Sequence, residues 1–430
     1  MLNTAHSEKK YWCKNAIIYE VYVDKFCDTF NGFADKLPYL VSLGVTCIHV
    51  LPHYPSPMID DGYDIADYTS VRKDLGTIED FKDFLLKAHD AGIKVMVDFV
   101  LNHTSTQHPW FLEASNSALS SKRDFYLWSK TATEYAKAPN LFPDLKEKNW
   151  IYNPKTDNYY FSTFHHAQAD LNWNNPDVFD QMMSVLDFWV ALGVDAFRLD
   201  AVSHLIKKEG TICDGLPETH NAIKKVRTYL DRKYDNIVLL AEVGDSIKES
   251  KKYFGKGDEC HLVYNFPLVG RLLLALKKGE AVLPKKFIET LSGIPESCDW
   301  VNFLGHHDEM ALGMTVKKER QGLFLHFDPE NKYRFAIGIS LRIATMLHKN
   351  NQDIIRAFGM LLGVPGSCII YYGDEIGMEN ESLPLDQKDT RKSLGGKFDW
   401  SVAGQQVLDN NSLFLQISNI INNRNVNKNS

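Results

Sequence analysis

Asn175–Asp200 reads NPDVFDQMMSVLDFWVALGVDAFRLD, a helix followed at once by a strand. Asn175 suits the N-cap and Pro176 the first helical position; apolar residues then recur at helical spacing until Gly193 offers the stop. Residues 194–200 form a short apolar run that ends in charge, as a buried strand does where it emerges from a sheet. Outward from this unit the alternation repeats. Strands are predicted at Ala16–Val23, Val45–Leu51, Lys94–Val100, Ile237–Glu242, His261–Phe266, Trp300–Gly305 and Cys368–Tyr372, and TIEDFKDFLLKAHDAG before the third reads as a helix closed by Gly92. Near-continuous apolar strands joined through helices imply a parallel sheet covered on both faces. Eight such units predict a closed (β/α)8 barrel, with an open doubly wound sheet as the alternative that strand counting leaves standing.

One connection is long. After Val100 no comparable strand appears until Val194, and Asn102–Gln168 is aromatic-rich and irregular, the signature of a functional loop or a small inserted domain. The division that follows is a barrel made of 1–102 and 170–430, with 103–169 as an inserted domain over its C-terminal face. The tail NNRNVNKNS reads as a frayed polar terminus.

Composition narrows the function. The 430 residues are 44% hydrophobic and 24% charged, enough to bury a large core and too apolar for a disordered chain. Lys and Arg number 48 against 55 Asp and Glu, and this mildly acidic balance argues against nucleic-acid binding. The seven cysteines form no C-x-x-C pair, so neither a disulfide framework nor a zinc site is expected, and a reducing, cytoplasmic setting fits. No apolar run is long enough for a signal peptide or a membrane span. Oligomeric state leaves no mark on the sequence.

Side chains at the C-terminal ends of barrel strands converge on one site. Those ends supply Asp98, Asn102 and His103 after strand three, Arg198 and Asp200 on strand four, Glu242 after strand five, and His306, His307 and Asp308 after strand seven. A lone acid there would be a strand-end salt bridge or cap. Three acids, an arginine and two histidines at one end favour a site. Two carboxyls about 5–5.5 Å apart across a glycosidic bond suffice for hydrolysis with retention. Asp200, two residues from Arg198 on the same face, is expected to stay ionised, and Glu242, closing the apolar run IVLLAE, to stay protonated as the general acid.

VDFVLNH, FRLDAVSH, LLAEV and FLGHHDE resemble the four strand-end motifs of the α-amylase family (glycoside hydrolase family 13), in its order and spacing. ADLNWNNP resembles the fifth, and DDGYDIADY and YYGDEIGM resemble further blocks, so the likeness spans Trp12 to Trp400. Within the family, LPHYPSPMIDDGYD, EGTICDGLPETH and FLGHHDEM are similar to the trehalose synthases, which interconvert maltose and trehalose. The resemblance implies roles. Asp200 is the nucleophile, Glu242 the acid and base, and Asp308 the third acid that grips the distorted sugar. Arg198 orients Asp200, His103 and His307 bond the same sugar, Tyr63 stacks under it, and Asp64 and Arg391 clamp its far hydroxyls. A structural calcium ion is implied between barrel and insert, held by Asn102, Asp170 and a backbone carbonyl near His204. Asn102 reads equally as a hydrogen-bonding strand-end residue. No organic cofactor is implied.

Four departures from the family pattern stand out. CDTFNGFAD lacks the calcium loop of many relatives; His306 replaces the usual Asn, and Gly305 an Arg; KDTRKSLGGKFDW stands in for an Arg-Thr-Pro-Met-Gln-Trp block. The residues after Tyr372 are expected to hold one last helix, around Leu413–Asn423, and no C-terminal β-sandwich. The expected activity is that of a retaining enzyme on a small α-glucoside, of trehalose-synthase type. An α-glucosidase or α-amylase would share every catalytic residue. A silent amylase-fold protein would have lost the acids, and all three are present.

Overall fold

The structure is a computed structural model and describes residues 11–384 and 386–429. Eight strands close a barrel: β1 Ile17–Val21, β2 Cys47–Val50, β3 Lys94–Val100, β4 Ala196–Asp200, β5 Val238–Ala241, β6 Leu262–Tyr264, β7 Asp299–Asn302 and β8 Ser367–Tyr371. Neighbours follow chain order, β8 returns to β1, and every barrel pair is parallel. The open-sheet alternative is thereby removed. Most strands are shorter than their apolar runs, and at Val23 and Phe266 the run passes directly into the helices Val23–Phe26 and Phe266–Lys277.

The helices rest on local signals. In α1, Ile78–Asp90, the Thr77 side chain and Asp80 form a reciprocal capping box. In α2, Pro176–Leu192, the Asn175 side chain accepts the Asp177 N–H, and Gly193 at φ 116° ends the helix in a left-handed turn. Trp189 of α2 is fully buried and its indole N–H donates to the Tyr68 carbonyl, so the helix is pinned to the loop that follows β2.

Two excursions rise from the C-terminal ends of the strands. The first leaves at His103–Ser105 and returns at Gln168–Asp170, and these segments pair antiparallel with His103 opposite Asp170. Between them lie the helix Pro109–Asn116 and a small sheet of Trp128–Ser129, Asn158–Phe161 and Trp150–Asn153. The second follows β7 and holds Met310–Ala311, the helix Lys317–Phe327, Arg334–Phe335 and Gly338–Ile339. It was not expected from the sequence, since strands of two residues carry no period to read.

The stretch read as a frayed tail is helical as far as Asn429, in a helix that begins at Leu413; Ser430 and residues 1–10 lie outside the described residues. Buried Phe414, Ile417 and Ile421 anchor that helix. Among the described residues no helix is long and apolar enough to cross a membrane.

Candidate active site

Strand alternation places Arg198 and Asp200 on the same face of β4, turned into the barrel mouth. Register then supplies the neighbours, with Asp98 opposite Arg198 and Val100 opposite Asp200. Arg198 is 1% exposed and serves three carboxyls. Its Nη1 lies 2.6 Å from Asp200 Oδ1 and 2.5 Å from Asp98 Oδ1, and its Nη2 lies 3.0 Å from Glu242 Oε2. Glu242 follows β5 directly and also accepts the Ala201 N–H at 2.9 Å. Ala201 sits at φ 47°, an unfavourable conformation for a residue with a side chain, and this turn aims its N–H at Glu242.

The other side of the mouth is built from β1 and the loop after β7. Glu20, fully buried on β1, receives both the His307 backbone N–H and its Nδ1 at 2.9 Å. His307 Nε2 lies 3.1 Å from Asp308 Oδ2 and 2.7 Å from the Tyr63 hydroxyl. Tyr63 stacks on His307 at 5.4 Å, and its hydroxyl also reaches Asp98 and Arg198. Arg391 Nη1 holds Asp308 Oδ1 at 2.9 Å, while its Nη2 holds Asp60 at 3.0 Å and Asp389 at 2.7 Å. His103 Nε2 lies 3.2 Å from the Tyr63 carbonyl. The three acids, Arg198, His307, Tyr63 and Arg391 therefore meet in one cluster, with His103 tied to it through Tyr63.

Asp64 does not join the Arg391 clamp. It accepts the Ser56 hydroxyl at 2.8 Å and the backbone N–H groups of Ile59 and Asp60, bracing the loop that carries Tyr63. Asp60 takes the arginine instead. The guanidinium of Arg391 also lies over both the Phe142 and Phe335 rings, 5.0 and 4.6 Å from their centroids, so both excursions meet it. Beside it Lys392 reaches Asp61 at 2.5 Å. A cavity of about 150 Å³ touches this wall through His307, Arg391 and Lys392. That is smaller than the roughly 300–1,000 Å³ usual for ligand sites.

The electrostatics differ from the simple expectation at Asp200. Burial pushes the Asp200 carboxyl well up, Glu242, Asp98 and Asp308 add to the push, and Arg198 opposes it. One positive charge shared among three carboxyls does not keep Asp200 at an ordinary value. Glu242 stands in an ion pair and a backbone hydrogen bond, not in the apolar setting that IVLLAE suggested. Burial likewise acts against ionised Asp308, but His307 and Arg391 outweigh it and hold that carboxyl well below the usual range. His307 is raised well above its ordinary value because Asp308 and Glu20 overcome its desolvation. At His103 burial outweighs the nearby Asp170 and Asp60 carboxylates and pulls the imidazole down to about 4.

The residues assigned to calcium do converge, on a lysine. Lys207 Nζ lies 2.7 Å from Asn102 Oδ1 and 2.7 Å from Asp170 Oδ2, and it donates to the His204 carbonyl. Its side chain is 1% exposed. With an ammonium among these three oxygens the arrangement does not fit a calcium ion. Local sequence marks Lys207 weakly: it closes the apolar stretch AVSHLI, where burial demands a partner. His49 carries a similar mark inside the apolar run Val45–Leu51, whereas Asp60 carries none, because only the fold brings its partners near.

A closed parallel barrel that gathers three acids and a shared arginine at its C-terminal mouth has the layout of a barrel enzyme. The family description "Alpha amylase, catalytic domain" matches residues 17–328, and the chain belongs to the α-amylase family. It is 39% identical over 400 residues to a trehalose synthase of Thermus thermophilus, covering 91% of this chain and 41% of that protein. It is also 39% identical over 403 residues to a trehalose synthase of Pimelobacter sp., covering 90% of this chain and 70% of that one. The chain thus spans less than half the length of the first relative. The fold is similar to that of the trehalulose synthase MutB from Pseudomonas mesoacidophila MX-45, with a TM-score of 0.74 at 24% identity over 96% of this chain and 84% of that one.

Proposed function

We propose that this enzyme is a retaining α-glucoside-active catalyst of trehalose-synthase type that interconverts maltose and trehalose. One observation carries the reading: Asp200 and Glu242, 42 positions apart by their numbers, lie on the two terminal nitrogens of the same guanidinium. Asp200 attacks the anomeric carbon as Glu242 gives its proton to the departing oxygen, leaving a glucosyl ester on Asp200 and a free glucose. Glu242 then takes a proton from a hydroxyl of that glucose, which attacks the ester and releases Asp200. Asp308, oriented by His307 and Arg391, accepts hydrogen bonds from the hydroxyls of the strained ring. Isomerisation needs the freed glucose kept from water, and the contacts around Arg391 and Lys392 suit that task.

Lys207 supplies the buried positive charge that the resemblance assigns to calcium, and the reading needs no organic cofactor. Its substrates are small α-glucosides. Seven free cysteines fit a reducing, cytoplasmic setting. The test is incubation with maltose and product analysis by NMR. Trehalose with little glucose supports the isomerase, glucose alone supports a hydrolase, and no turnover of maltose, trehalose or malto-oligosaccharides removes both.

A further inference from the structure

Beneath the reacting acids the barrel interior is charged where packed aliphatic layers are usual. Glu20 on β1, His49 on β2 and Asp98 on β3 are fully buried, and Glu20 and His49 are register partners. His49 Nδ1 lies 3.2 Å from Glu20 Oε2, and its Nε2 lies 3.0 Å from Asp98 Oδ2. A neutral imidazole has one N–H and satisfies one carboxylate; the second contact would then set a lone pair against a negative oxygen. Two carboxylates at opposite edges of one ring require both nitrogens to donate.

Each carboxylate turns its second oxygen toward the site. Glu20 Oε1 takes the His307 backbone N–H and Nδ1, and Asp98 Oδ1 takes Arg198. His307 in turn meets Asp308, and Arg198 meets Asp200 and Glu242. We propose that His49 is a positioning residue: as an imidazolium on β2 it ties Glu20 to Asp98 and so holds the Asp308 side and the Asp200–Glu242 side of the mouth as one body. This rests on the reading of those three acids given above.

The charged and titratable groups around His49 are consistent with its charge. Burial pulls its pKa down, but Asp98 and Glu20 outweigh this and raise it. Tyr63 and Arg198 bear on Asp98, and Tyr264 and His307 bear on Glu20. Without the imidazolium, Arg198, helped only by His307, must offset Asp98 together with Asp200 and Glu242. Ionising Asp200 then becomes harder.

His49→Gln keeps a similar length but loses the charge and one donor edge. In this variant, folded by circular dichroism, total α-glucoside turnover is expected to fall at least about tenfold in kcat/KM, with the acid limb of its pH profile displaced upward. A pure packing role would lower stability and leave the limb in place, and that result overturns the proposal. Should the variant fail to fold, wild-type protein labelled with 15N-histidine decides. Both His49 nitrogens must remain protonated above the ordinary value of 6.5, and a neutral tautomer there overturns the bridge. A wild type without turnover on any α-glucoside defeats the functional reading and the catalytic part of this proposal, whereas the nitrogen signals report on the bridge independently.

Discussion

Lys207 Nζ stands 2.7 Å from Asp170 Oδ2, both side chains sealed from solvent, at the point where the first excursion rejoins the barrel. Removing one partner from such a pair strands a buried charge and costs about 3–5 kcal/mol. Lys207→Ala is therefore expected to lower the melting temperature sharply, and added calcium to recover part of the loss. Wild-type protein should melt at the same temperature in calcium or chelator. A calcium-dependent wild-type Tm contradicts the assignment of this charge to lysine.

Asp200→Asn keeps the shape and the Arg198 contact but removes the nucleophile. Turnover should drop by more than about 10³-fold while maltose still binds, as read by calorimetry. Retained turnover places the covalent step on another residue.

The direction of the Asp200 shift gives a pH dependence. Asp200 must be a carboxylate to attack, and burial raises its pKa above the ordinary 3.8, so kcat/KM should fall with decreasing pH before that value is reached. An acid limb centred at or below 3.8 is incompatible with this arrangement.

Glu20 and His307 set a second pH dependence, in stability. His307 and His49 overcome burial and depress Glu20 below its ordinary 4.5, so its contribution is present above 4.5 and lost as pH falls through the depressed value. His307 is raised above 6.5, so its contribution is present below 6.5 and lost as pH rises through the raised value. The Tm deficit of Glu20→Gln should accordingly be largest between these two ordinary values and narrow on either side. A deficit independent of pH means that the variant reports packing alone.

Lys392→Ala opens the contact with Asp61 at the pocket wall. The pair is partly open to solvent, and such pairs contribute little to stability, so Tm should move little. The glucose released per trehalose formed should rise roughly twofold to fivefold, in keeping with the size of such a contact. An unchanged product ratio removes this wall from any role in retaining glucose.

Much of the architecture is readable in short stretches of the chain. Asn175, Pro176 and Gly193 bound one helix, and the run to Asp200 marks the strand, because caps and apolar periods act within a few residues. The candidate acids were visible for the same reason, as charges at the ends of apolar runs. The second excursion was not, since pairs such as Arg334–Phe335 with Gly338–Ile339 are too short to show alternation.

From its order of residues alone the chain thus specifies eight strand-and-helix units and which acids stand at the strand tips, for these depend on neighbours a few positions away. It does not specify the charge state of those acids or the cation beside Asp170. Those follow from contacts that only the fold makes, such as Asp98 with Arg198, Asn102 with Lys207 or Asp170 with Lys207. Burial in the closed barrel makes each such contact strong, and no local pattern encodes which distant side chain arrives there.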